Sequence, residues 1–208
     1  MLVASVLLLI YFVAMPLFPA IHKYYFYQSW PTYQAYKLPI YGHIIFGAVA
    51  LIVGPINLFN ALRGKHFGIH RKLGYVYAVA VSIAATCAIF MAFHAYAGTL
   101  PYGRWIVTSG FVTLGSLWLA TLYRALYEIL VKHDRQRHFF WMIINVSLVF
   151  SAVVFRIENG IIIGIDKFDL LYPLLGWLGW LPSAIGGYVL ASHRYNNAPQ
   201  PTFKQAHS

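Results

Sequence analysis

Acidic residues are almost missing from this chain: five Asp and Glu stand among 208 residues, against fifteen Lys and Arg. So few carboxylates leave no paired-carboxylate site for acid–base chemistry and argue against a carboxylate-driven pump. Cysteine is scarcer still. Cys87 is the only one, which excludes an intrachain disulfide and a Cys-based zinc site. Charged residues of both signs make up 10% of the chain, where a soluble globular domain carries about 25%. There is also no Gly-rich phosphate loop, no nucleophile elbow and no HExxH zinc motif.

Apolar runs fill the chain instead: 60% of residues are hydrophobic and 18% aromatic. That composition is one of a polytopic membrane protein, all-α, with the lipid bilayer as its first partner. The length fits a single integral membrane domain and leaves no room for a soluble catalytic one. Six segments are apolar enough to span: residues 2–20, 41–62, 74–97, 105–127, 139–157 and 171–191, with spans two to five as a four-helix core. The tail, residues 196–208, is polar and Pro-containing and reads as disordered.

The net charge of +10 does not indicate nucleic-acid binding, because the basic residues gather in the connections between spans. With six spans, ten of them fall on one side, among them Arg63, Lys65, Arg71, Lys72, Arg124, Lys132, Arg135, Arg137 and Arg194. Only Lys23, Lys37, Arg104, Arg156 and Lys167 fall on the other. This bias sets both termini in the cytoplasm and the chain in the cytoplasmic (inner) membrane. The first external connection, from Tyr24 to Tyr41, is crowded with Tyr and Trp and reads as an interfacial aromatic belt.

Packing signals differ from span to span. Ala80, Ala84, Ala88 and Ala92 repeat at i+4, the spacing that lets membrane helices approach closely. Ser109, Thr113, Ser116, Ala120 and Tyr123 share one face of the fourth span, whose hydroxyls can satisfy carbonyls on their own or a neighbouring helix. Gly54-Pro55 interrupts the second span, and Gly176, Gly179, Gly186 and Gly187 predict a bend or close packing in the sixth.

Chemistry can sit only on a few polar residues inside or beside these spans. His43 heads a small-residue face of Gly47, Ala50, Gly54 and Asn57. His138 heads a face of Met142, Asn145, Val149, Ala152 and Arg156. These offsets keep one side of a helix, and polar groups in a span turn toward the bundle interior. His70 and His138 each stand where a basic cytoplasmic connection enters a span, so they lie at similar depth. Two such imidazoles could clamp one haem iron, with Arg71, Lys72, Arg135 and Arg137 near its propionates. His43 lies near the opposite face and would serve a second site or a quinone site. A helical projection puts His94 away from the alanine stripe, which argues against it as the partner of His43. Asn145 and Arg156 are costly in lipid, so Asn145 is expected to bond between helices and Arg156 to snorkel or pair with Glu158.

The motifs His43-x-x-x-Gly47, Gly54-Pro55, His70-Arg-Lys-Leu-Gly-Tyr-Val-Tyr77, Leu117-Trp118, Arg124, His138-x-x-Trp-Met142 and Arg156 occur in one order. Together they resemble a bacterial family of multi-span membrane proteins of unknown function, over about residues 40–158. The four-helix core with histidines at both faces also resembles the membrane cytochrome b and ferric reductase superfamily. That second likeness implies b-type haem and electron transfer with a quinone or another redox partner. Two readings stay open: such an electron carrier, or a non-enzymatic transporter, sensor or assembly partner whose His, Asn and Arg form a structural network. A zinc or copper site is a third, opposed by the distance of His43 from the other two histidines.

Overall fold

A computed structural model describes residues 34–63 and 67–197. Seven helices follow one another: α1 Lys37–Arg63, α2 Phe67–Ala92, α3 Gly103–Leu130, α4 Arg135–Val149, α5 Ser151–Gly164, α6 Phe168–Leu178 and α7 Leu181–Asn196. They make five candidate membrane spans, because α4 with α5, and α6 with α7, each continue through a short break. The expected count of six is corrected accordingly. Among the described residues five helical units are long and apolar enough to cross, and the segment 2–20 on which the sixth rested lies outside them. So do residues 24–33 of the aromatic connection and residues 198–208 of the tail. The observed units also outrun their apolar runs, since polar and basic residues such as Arg135 and Arg194 extend the helices beyond the hydrocarbon.

The breaks have local causes. At Phe150 the backbone N–H turns to Ser147 O at 3.1 Å, a tightened turn that separates α4 from α5. At the second break Gly179 follows α6 and Pro182 opens α7, where a missing N–H is tolerated. Trp180 Nε1 donates to Gly176 O at 2.8 Å and ties the corner. α4 begins on Asp134, whose carboxylate accepts from the Arg137 N–H at 2.8 Å and caps the free helix end.

Short connections make consecutive spans antiparallel neighbours. α1 packs on α2, α2 on α3, α3 on α4, and α1 closes the ring against α4. The fifth unit lies outside this ring, α6 against α3 and α5, α7 against α4. Ala80, Ala84 and Ala92 are fully buried, as the alanine stripe predicts for a close helix contact. In α3 the hydroxyl-bearing face is not the inward one. Ser109, Ser116, Ala120 and Tyr123 are exposed, whereas Val107, Gly110, Trp118, Thr121, Ala125 and Glu128 are buried. Ser109 satisfies its hydroxyl on Ile106 O, one turn back in its own helix, and needs no interior.

Candidate functional site

Three histidines share one arrangement. His43 Nδ1 donates to Ala84 O at 3.0 Å, His70 Nδ1 to Asn57 O at 3.3 Å and His138 Nδ1 to Ala125 O at 2.8 Å. Each bond crosses to the neighbouring antiparallel helix. A carbonyl only accepts, so each Nδ1 carries the proton and each neutral ring keeps a lone pair on Nε2. No Nε2 of the three makes a hydrogen bond among the described residues. Metal-bound histidines in general are fixed in this way, through the nitrogen that does not bind the metal.

His70 and His138 are set against each other by a second level of contacts. Tyr77 OH donates to Asn145 Oδ1 at 2.6 Å, joining α2 to α4 across the ring. Tyr77 lies seven residues beyond His70, and Asn145 lies seven beyond His138, or about 10.5 Å along each helix at 1.5 Å per residue. Equal spacing from this bond sets the two imidazoles at one depth. Asn145 is wholly buried and donates on to Trp118 O at 2.7 Å and Thr121 Oγ1 at 2.8 Å. The interhelical bond expected of Asn145 thus forms. Nearby, Asn57 Oδ1 is buried and meets no donor. Glu128, fully buried at the same end of the bundle, forms an ion pair with Arg124 at 2.7 Å.

On the other side of the Tyr77–Asn145 level lies a cavity of about 330 Å³. Trp118, Leu51 and Leu148 line its inner part, and His43, Gly47, Phe111, Ala152 and Phe155 lie along its sides. Arg156, Asn159, Tyr172 and Tyr96 line it nearer the outer end. Gly47 leaves open space that a larger residue under His43 would fill. Arg156 interacts electrostatically with His43 and Tyr172, and its guanidinium carbon stands 5.4 Å over the Phe155 ring. The pairing of Arg156 with Glu158 is not among the ion pairs of the described residues. Asn159, which sequence reasoning missed, is buried with its Oδ1 unmet by any donor. It stands three residues beyond Arg156 on the same helical side, a relation that holds within α5 but is lost in a projection from His138 across the break at Phe150.

His94 is corrected: it lines the same cavity as His43. α2 ends at Ala92, and the next N–H groups bond three residues back, so a helical projection does not carry to position 94. Its Nδ1 bonds Phe90 O at 3.1 Å and its ring lies 4.1 Å from that of Tyr36. Beside it, in the connection between α2 and α3, Tyr96 donates to Asp169 Oδ1 at 2.9 Å. Burial, with the bond to and the charge of Asp169, pushes the Tyr96 phenol above its usual range, so it remains a donor.

Five apolar spans carrying these motifs match a family model over residues 40–190, that of the predicted membrane proteins DUF2306. The chain belongs to the DUF2306 family. The match runs past the core of spans recognised by motif and takes in α6 and most of α7, so the fifth unit is part of the family's domain. It contains His43, His70, His138, Asn145, Arg156 and Asn159. No curated protein and no solved structure matches the chain. Among the described residues no three His, Cys, Asp or Glu come together as a metal site. An axial clamp on haem needs only two.

Proposed function

We propose that the chain is a membrane electron carrier in which His70 and His138 hold a b-type haem. The observation that carries this reading is the matched pair of imidazoles: same depth, Nδ1 of each fixed to a backbone carbonyl, Nε2 of each without a partner among the described residues. Such a group supplies a one-electron couple when bound. The chain's own residues orient the two rings and place exposed Arg71, Lys72, Arg135 and Arg137 where carboxylates could pair with them. Gly74, one turn beyond His70, meets nothing closer than Asn57 Nδ2 at 3.6 Å and leaves room beside that ring. Protein purified from cells with ample haem should show a Soret band that shifts on dithionite reduction. His70→Ala and His138→Ala should each abolish low-spin character, and His43→Ala and His94→Ala should leave it. A folded, colourless protein overturns the reading. So does colour lost only with His43.

In that colourless case the non-enzymatic reading stands, as a transporter, sensor or assembly partner. Its support is the Tyr77–Asn145–Thr121 network, whose bonds are complete without any added group.

The orientation belongs to the same proposal. Arg63, Arg71, Lys72, Arg124, Lys132, Arg135, Arg137 and Arg194 gather at one end of the five spans, and that end is assigned to the cytoplasm. His70 and His138 then face a cytoplasmic electron donor, and the cavity at His43 opens from the outer half of the membrane. Reporter fusions should read cytoplasmic at Gln136 and external at Pro101. The opposite pattern reverses the assignment.

A further inference from the structure

We propose that the cavity between α1, α3 and α5 binds a lipid-soluble aromatic ligand bearing hydroxyl groups, of the quinol class. The inference stands apart from the haem reading, because it concerns different residues and a different half of the bundle.

Size comes first. At about 330 Å³ the cavity falls within the range of small-molecule sites, and its walls are mainly apolar and aromatic. Phe111, Phe155 and Trp118 offer ring faces and edges suited to a flat ring. These walls alone would accept any apolar molecule.

The polar atoms narrow the choice. His43 has given its only ring proton to Ala84 O, so what it offers the cavity is the lone pair of Nε2. Asn159, also in the lining, is 3% exposed and has a carbonyl oxygen that meets no donor. Trp118 Nε1, in the same lining, is buried and meets no acceptor among the described residues. Buried polar atoms left unmet cost free energy until a partner reaches them. The complementary ligand therefore carries O–H groups, which both donate and accept. A quinol does, and its ring and tail suit the walls. The oxidised quinone carries acceptors only and would leave His43 Nε2 unmet. Tyr172, also in the lining, adds a hydroxyl at the outer end suited to the ligand's other oxygen.

The test uses the full chain in detergent, with decylubiquinol kept reduced, its quinone and its dimethyl ether as probes. Binding is read from the rise in melting temperature with ligand concentration. The quinol should bind about tenfold more tightly than the ether, which keeps the ring and tail but carries methyl groups in place of the donors, reflecting one lost hydrogen bond and one orphaned acceptor. It should also exceed the quinone. His43→Asn should lower quinol affinity by about the same factor and leave the ether unchanged. Ala152→Phe should fill the cavity and abolish binding of all three probes. Equal affinity for quinol and ether overturns the proposal, as does tighter binding of the quinone, undiminished binding in Ala152→Phe, or no binding at all. The comparison of the three probes needs only the unaltered chain, so a variant that fails to fold does not spare the proposal. None of these readouts depends on colour, so the haem assignment can fail while this one holds.

Discussion

Gly110→Leu is expected to remove most folded protein from a detergent extract, and Gly160→Leu to leave the yield unchanged. A β-carbon on Gly110 would run into the backbone carbonyl of Gly176, and one on Gly176 would stand 2.9 Å from Val107 Cα. The two glycines are thus the point where α3 and α6 touch backbone to backbone. Side chains can rotate away from an intruding atom, but a helix backbone can only move as a whole. Overpacking in a tight core costs about 1–3 kcal/mol, occasionally more, and this contact belongs at the upper end because nothing flexible lies in the way. Gly160 faces open space, so a leucine there adds helix propensity and meets nothing. The measurement is the melting temperature and the monodisperse fraction on gel filtration. A Gly110→Leu variant that melts with the unaltered protein would mean that α6 does not sit on α3.

This contact also marks how far the sequence could be read. Glycines in the last span predict close packing, and Gly176, Gly179 and Gly187 do pack closely, while Gly186 meets nothing. Spacing alone does not reveal which glycine has a backbone opposite it. Gly110 carried no signal, standing beside a stripe of hydroxyl residues. That stripe turns outward, where Ser109 satisfies its hydroxyl within its own helix and Tyr123 meets Ser82 Oγ of α2. The inward face carries Trp118 and Thr121 instead, both of which receive a hydrogen bond from Asn145 of α4. The apolar runs between residues 41 and 191 and the basic connections were legible, because lipid imposes them on each segment separately.

The site was legible to the same extent. His70 and His138 were readable as equals from their loops, and His43 from the small residues under it. The cavity was not, since it exists only where five units leave space between them, and two of its lining residues come from places a helical projection misplaces. Asn159 lies beyond the break at Phe150, and His94 lies past the end of α2. Both breaks are i−3 turns in apolar sequence, without a Pro or Gly to mark them.

Asn145→Leu is the second substitution expected to have a large effect, and its partner Tyr77→Phe should reverse part of it. Asn145 is wholly buried and makes three bonds: from Tyr77 OH, to Trp118 O and to Thr121 Oγ1. Leucine has nearly the same shape and is cheaper to bury, so packing is little changed. What is lost is the only acceptor of the Tyr77 hydroxyl among the described residues. Thr121 keeps its own bond to Leu117 O, and Trp118 O still receives one from Thr121 at 3.2 Å. The cost therefore concentrates on one orphaned phenol, about 1–3 kcal/mol. Removing that phenol as well should recover most of the loss, because replacing both partners by apolar groups of the same shape is nearly neutral. The double variant Tyr77→Phe/Asn145→Leu should thus melt above Asn145→Leu alone, and the difference is the coupling between α2 and α4. Additive losses would show that the two residues stabilise the bundle independently and that their bond does not hold His70 and His138 in register.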